Sequence, residues 1–235
     1  LESARRFQLS LLPKRLPDHP DLEIGVFMKT ATEVGGDYYD FHQSADGSLT
    51  AAIGDATGHG ARAGTMVTVI KSLFAAEAGD MELAAFLDKA SRSIRSMELG
   101  RMAMALTLVR FRDGNLTVSA AGMPPVLIHR AFDHQVEELA VEGVPLGSMA
   151  QSSYREREVS LGSGDTVLLM SDGFPELADS QGEPLGYAAV LDMFASEGGL
   201  APTELISRLA DAAQAWSGDS SPSDDITFVV LRVKS

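Results

Sequence analysis

The chain has 235 residues, 45% of them hydrophobic and 22% charged, and no cysteine, which excludes wholesale disorder, a disulfide scaffold, thiolate metal sites and a cysteine nucleophile. Its 33 acidic against 19 basic residues give a formal net charge of −14, which repels phosphate backbones and argues against a nucleic-acid partner. No apolar run approaches the ~18 residues of a membrane span and no signal peptide opens the sequence, so a cytoplasmic domain without membrane contact is expected.

Leu1, Ala4, Phe7 and Leu11 recur at helical spacing until Pro13, and Pro17 and Pro20 continue an extended connection. So short a helix is marginal alone. Residues 1–14 are therefore read as the end of a longer helical linker, with 15–235 as the main domain. An ordinary N-terminal helix packed on its own domain is the alternative. Short apolar or aromatic runs at Leu22–Thr30 and Asp37–Phe41, and the alternation of Leu49, Ala51 and Ile53 after Asp46–Gly47, predict strands. Two helices follow. Met66, Val69, Ile70, Leu73 and Phe74 share one face, and Leu83, Leu87, Ala90, Ile94 and Met97 share another, which makes Met66 and Met97 core residues. Strands are expected at Met102–Phe111, Leu116–Ala120 and Val126–Arg130, with a hairpin turn at Asp113–Gly114–Asn115, then at Arg155–Leu161 and Thr166–Met170. Helical patterns near Ala188–Phe194 and Pro202–Trp216 precede a last strand, Ile226–Val233. Grouped strands interrupted by paired helices predict a layered α+β domain rather than an alternating parallel-sheet fold.

The informative carboxylates stand beside glycine or another aspartate at strand ends: Gly35–Gly36–Asp37, Gly54–Asp55–Ala56 through Gly60, Ser171–Asp172–Gly173, and Asp224–Asp225–Ile226–Thr227. A carboxylate at the mouth of an apolar strand is partly desolvated, which is costly unless it is paired or metal-bound. Arg and Lys are absent from the immediate neighbourhoods of all four, and hard oxygen ligands without cationic partners suit Mg²⁺ or Mn²⁺. Any one of these pairs alone is ordinary turn chemistry. Periodicity does not show that they converge.

Taken together, the segments resemble the SpoIIE/RsbU branch of the metal-dependent, type 2C-like (PPM) bacterial Ser/Thr protein phosphatases. Gln8 to Pro13, Glu33 to Asp40, Ile53 to Gly60, Met170 to Gly173 with Glu176, and Asp224 to Thr227 stand in the family's order and spacing, with weaker matches at Ala121–Pro125 and Val144–Gly147. The resemblance implies an α-β-β-α sandwich, two antiparallel sheets flanked by helix pairs, with a site for two divalent ions, Mn²⁺ or Mg²⁺. Carried over, Asp55 bridges both ions, the Ala56 carbonyl and Asp37 serve one, and Asp172 and Asp224 complete the other. The nucleophile is then a metal-bound water. Asp225, Gly36 and Gly173 take supporting roles.

The resemblance implies as substrate a phosphoserine or phosphothreonine on a STAS-domain anti-sigma-factor antagonist in a partner-switching pathway, and an upstream sensory or receiver domain joined through residues 1–14, whose helix offers a route to a homodimer. Met123 stands where the family has His and Pro175 where Thr is common; neither falls on a metal position, so both bear on substrate fit. His59, four positions after Asp55, reads as a helix-entry residue rather than a proton donor. A catalytically dead adaptor is the alternative function, although none of its expected ligand losses occurs. A nucleotide cyclase, suggested by Gly35–Gly36–Asp37, is rejected because Tyr38 and Tyr39 replace the Glu-Phe of that signature.

Overall fold

The computed structural model describes residues 10–31, 35–79, 81–98, 100, 102–218 and 222–235. Most of the proposed linker helix, residues 1–9, lies outside them; Ser10 and Leu11 are helical and Leu12 is buried. Among the described residues the strands are β1 (Leu22–Lys29), β2 (Asp37–Gln43), β3 (Leu49–Ala56), β4 (Met104–Arg112), β5 (Asn115–Ala121), β6 (Val126–His129), β7 (Val136–Leu139), β8 (Arg157–Ser160), β9 (Thr166–Met170) and β10 (Ile226–Val233). The helices are α1 (Ala61–Glu77), α2 (Leu83–Ser96), α3 (Tyr187–Glu197) and α4 (Pro202–Ser217). The fold is α+β, with two five-stranded antiparallel sheets and a helix pair on each.

The chain divides into two compact units. The first comprises the described residues within 10–17, 35–123 and 141–160. Its sheet has the order β2-β3-β4-β5-β8, with α1 and α2 against it. Met66, Ile70 and Phe74 of α1 and Phe86, Leu87 and Ile94 of α2 are buried at the helical period, and Phe74 meets Phe86 edge to face with ring centroids 6.2 Å apart. Arg110 of β4 ties the α1–α2 turn to the sheet by donating to the carbonyls of Ala78 and Met81 at 2.6 and 2.9 Å. The β4–β5 hairpin closes through Asp113 and Gly114, whose φ values of 49° and 77° suit the two left-handed positions of a two-residue turn.

The second unit comprises residues 18–31, 124–140 and 161–235. Its sheet runs β1-β10-β9-β6-β7, with α3 and α4 against it. Leu168 and Met170 of β9 and Phe228 and Val230 of β10 share a buried cluster with Val190 and Phe194 of α3 and Leu205 and Leu209 of α4. Phe174 stands edge-on to Phe228 at 4.8 Å.

Two expectations need correction. Met97 is not core: it caps the end of α2 and is 41% exposed, because the helix ends one residue before the apolar stripe would return to the sheet. Strand β7 was not legible in Val136–Glu137–Glu138–Leu139. Edge position explains its charge, since it pairs only with β6, and Glu137 binds Arg130 of the hairpin loop.

Candidate active site

Each unit carries carboxylates held by its own backbone. In the first, Asp37 at the start of β2 stands directly opposite Asp55 near the end of β3. Residues opposite each other on an antiparallel pair share a face, with Cβ atoms about 4.5–5.5 Å apart, and like charges there repel. Asp37 is buried and Asp55 half-buried, so water screens neither fully.

The peptide that follows is fixed on both sides. The Ala56 N–H donates to the Gly36 carbonyl at 3.0 Å. The Thr57 N–H and hydroxyl both donate to the Ala103 carbonyl, each at 3.0 Å. Gly36 is glycine for lack of space: a Cβ there would collide with the Ala56 carbonyl oxygen and come within 2.6 Å of Asp55 Oδ1. Asp37, Asp55 and the Ala56 carbonyl therefore sit on one rigid corner of one sheet.

In the second unit, β9 ends at Met170 and Asp172 follows in the turn. Ser171 staples that turn to the start of β10. Its N–H donates to the Thr227 carbonyl at 3.1 Å, and its hydroxyl accepts the Thr227 N–H at 3.0 Å and donates to the Asp225 carbonyl at 3.3 Å. Gly173 lacks a side chain where the Asp225 carbonyl packs. Asp224 accepts the Asp225 N–H at 2.8 Å. Burial pushes the Asp224 carboxyl above the usual range, and the charges of Asp172 and Asp225 add to the rise. Asp225 itself is buried, and its carboxylate accepts the Ala31 N–H at 2.7 Å, fixing the end of β1.

The donor set is wholly oxygen, from carboxylates and one carbonyl, and suits a hard divalent cation rather than a soft metal. Like charges opposed across β2 and β3, and a carboxyl raised by burial with two neighbouring carboxylates adding, are the electrostatics that such a cation relieves. His59 lies exposed in the bend before α1. Ser171, whose hydroxyl sets the Asp172 turn, and Asp40, whose carboxylate binds Lys71 and the Tyr38 hydroxyl, both stood inside quoted motifs but drew no role from the sequence. A buried Ser between an apolar strand and an Asp-Gly turn was the available signal for the first.

The sequence model for Stage II sporulation protein E (SpoIIE) matches residues 45–234. Phosphoserine phosphatase RsbU of Bacillus subtilis is 24% identical over 240 residues, covering 100% of this chain and 70% of RsbU. The SiaA-PP2C domain of Pseudomonas aeruginosa superposes with a TM-score of 0.85 at 25% identity, covering 99% of this chain and 95% of that domain. The structure of RsbX in complex with magnesium shares the fold, with a TM-score of 0.70 at 13% identity over 94% of this chain and 99% of RsbX. With a family match across most of its length and the PP2C fold, the chain belongs to the SpoIIE family and is a protein serine/threonine phosphatase.

Proposed function

We propose that this phosphatase depends on two divalent ions, Mn²⁺ or Mg²⁺, held by Asp37, Asp55, the Ala56 carbonyl, Asp172 and Asp224. Asp37 and the Ala56 carbonyl would serve one ion, Asp172 and Asp224 the other, and Asp55 would contribute to both; Asp55, Asp172 and Asp224 form a carboxylate group that could hold a metal ion. The observation that carries the reading is the register of β2 and β3, which sets Asp37 opposite Asp55 beside the Ala56 carbonyl, whose flanking N–H groups bond the carbonyls of Gly36 and Ala103. The magnesium in RsbX, a protein of the same fold, supports it.

Bound divalent ions supply Lewis-acid charge to the phosphoryl oxygens and a water activated as nucleophile at neutral pH. The chain's own contribution is charge and position. Four aspartates carry −4 when ionised, so two divalent ions make the site nearly neutral and a phosphate dianion can approach an otherwise acidic protein. Gly36 and the Thr57–Ala103 bonds hold the Asp55–Ala56 corner, Ser171 holds the Asp172 turn, and Asp225 holds β1. No serine, histidine or cysteine nucleophile is assigned.

The substrate we assign is a phosphoserine or phosphothreonine on a STAS-domain anti-sigma-factor antagonist, within a cytoplasmic partner-switching pathway; the name of RsbU supports phosphoserine. Among the described residues no helix is long and apolar enough to cross a membrane. Residues 1–14 are assigned as the end of a connector to a sensory or receiver domain, through which two copies pair. The deciding assay measures phosphate release from p-nitrophenyl phosphate and from a serine-phosphorylated STAS protein, with Mn²⁺ or Mg²⁺ and after exhaustive chelation. Full turnover without metal removes the metal reading. Turnover on the small ester with none on the phosphoprotein removes the substrate reading.

A further inference from the structure

Strand β2 presents Asp37 and Tyr39 to one face of its sheet and Tyr38 and Asp40 to the other, where α1 lies. Asp40 is only 3% exposed. Its carboxylate accepts three donors: the Tyr38 hydroxyl at 2.7 Å, the Lys71 ammonium of α1 at 2.6 Å and the Phe41 N–H at 2.9 Å. Tyr38 is fully buried, and burial raises its pKa well above the ordinary value, with the Asp40 charge adding, so its hydroxyl stays a donor. A buried carboxylate is costly unless its partners are well placed. Here they come from two elements that both lead to the candidate site.

Two stretches of chain leave the Asp37–Asp55 pair. One runs along β2 from Asp37 to Asp40. The other runs from Asp55 through the bend at Gly58–Gly60 into α1 and reaches Lys71. The Lys71–Asp40 ion pair joins their ends and closes a ring around the corner that carries both carboxylates. Sliding α1 along the sheet would break this bond or drag the Ala56–Gly60 segment with it.

We propose that Lys71, Asp40 and Tyr38 are positioning residues that lock α1 to β2 and thereby hold Asp55 and the Ala56 carbonyl in register with Asp37, setting the affinity of this half of the site for its metal ion. The inference rests on the metal reading above. A salt bridge with only a structural role would lower the melting temperature and leave the metal affinity of the folded protein unchanged.

The test is calorimetric titration of the full chain with Mn²⁺, without substrate, at a temperature where circular dichroism shows each variant folded. Lys71→Met should weaken Mn²⁺ binding at least about tenfold, the scale seen when partners behind metal ligands are removed, and Tyr38→Phe should weaken it in the same direction. Lys71→Arg, which keeps the charge, should restore most of the affinity. Lys89→Met is the control: it breaks an ion pair of equal length, Lys89 to Glu77 at 2.6 Å, that joins α2 to α1 and leaves β2 alone. It should bind as wild type. Wild-type affinity in both Lys71→Met and Tyr38→Phe overturns the lock, as does an equal loss in Lys89→Met. If Lys71→Met does not fold, Tyr38→Phe decides alone, and unchanged affinity there overturns the proposal. A wild-type protein that takes up no Mn²⁺ overturns the metal reading itself, a result distinct from the others.

Discussion

Replacing Gly36 by alanine tests the corner geometry with a single methyl group. The added Cβ would lie 2.6 Å from Asp55 Oδ1 and 3.1 Å from the Gly58 carbonyl oxygen, and would collide outright with the Ala56 carbonyl oxygen. Ordinary contact begins near 3.4 Å, so Asp55 must give way by about 0.8 Å and the Ala56 carbonyl by more. These are two of the groups assigned to metal, and both lie on backbone pinned by Gly36, Ala103 and the β2–β3 ladder. A misplacement of about 1 Å costs on the order of 10²-fold in rate, or about 2.7 kcal/mol in the barrier. Overpacking costs about 1–3 kcal/mol of stability, less the few tenths to about 1 kcal/mol that alanine gains over glycine in the unfolded chain.

Steady-state kinetics with p-nitrophenyl phosphate at saturating Mn²⁺ gives the rate, and thermal melts give the stability. Gly162→Ala is the matched control, because its nearest neighbour beyond the adjacent residues is Asp165 Oδ2 at 3.8 Å. Gly36→Ala should lose about 10² in kcat/KM while remaining folded, and Gly162→Ala should lose none. A Gly36→Ala enzyme within about threefold of wild type would show that Asp55 and the Ala56 carbonyl do not hold the reacting centre, since ~0.65 kcal/mol is too little for displaced ligands.

Asp55→Asn and Asp172→Asn keep side-chain volume and remove charge, so each should abolish turnover with a near-native melting curve; more than about a tenth of wild-type kcat/KM in either, a loss of under ~1.4 kcal/mol, removes that residue from the site. A chain beginning at Leu16 should lose Mn²⁺ affinity or turnover relative to the full 235 residues at equal oligomeric state, and equality of the two would remove the connector from regulation. His129 is 1% exposed and its Nδ1 has no partner among the described residues. Burial holds its pKa below the ordinary range, with the charge of His134 adding to the depression. The unfolded chain therefore takes up this proton first, and stability is full above the unfolded value of about 6.5 and falls as pH drops toward the folded value. Melting temperatures compared at about pH 7.5 and about pH 5.5 should fall less in His129→Gln than in wild type, and an identical fall would show that His129 does not contribute.

Apolar runs bounded by turn chemistry located most strands, because Leu49–Ile53, Thr166–Met170 and Ile226–Leu231 are short segments buried on both faces. The same rule failed at β7, where two glutamates serve an edge, and at Met97, where an apolar residue continues a stripe past the end of its helix. Asp40 shows a deeper limit. Alternation puts it on a face with Tyr38, but only the packing of α1 reveals that this face is covered and that a lysine far along the sequence supplies the counter-charge. The site has the same character. The Gln43–Leu49 hairpin register sets Asp37 against Asp55, a local fact that a turn length encodes. The staple at Ser171 joins β9 to a strand that begins after two intervening helices, and no local pattern encodes it. Family resemblance supplied the list of aspartates, while the backbone bonds show what holds each one. Asp37 and Asp55 are fixed by the ladder and corner of one unit, and Asp172 and Asp224 by the staple and turn of the other. Each pair is held by backbone hydrogen bonds within its own unit. Removing one carboxylate should therefore lower ligand charge without unfolding either sheet, which is the condition under which a charge-only substitution reports chemistry rather than stability.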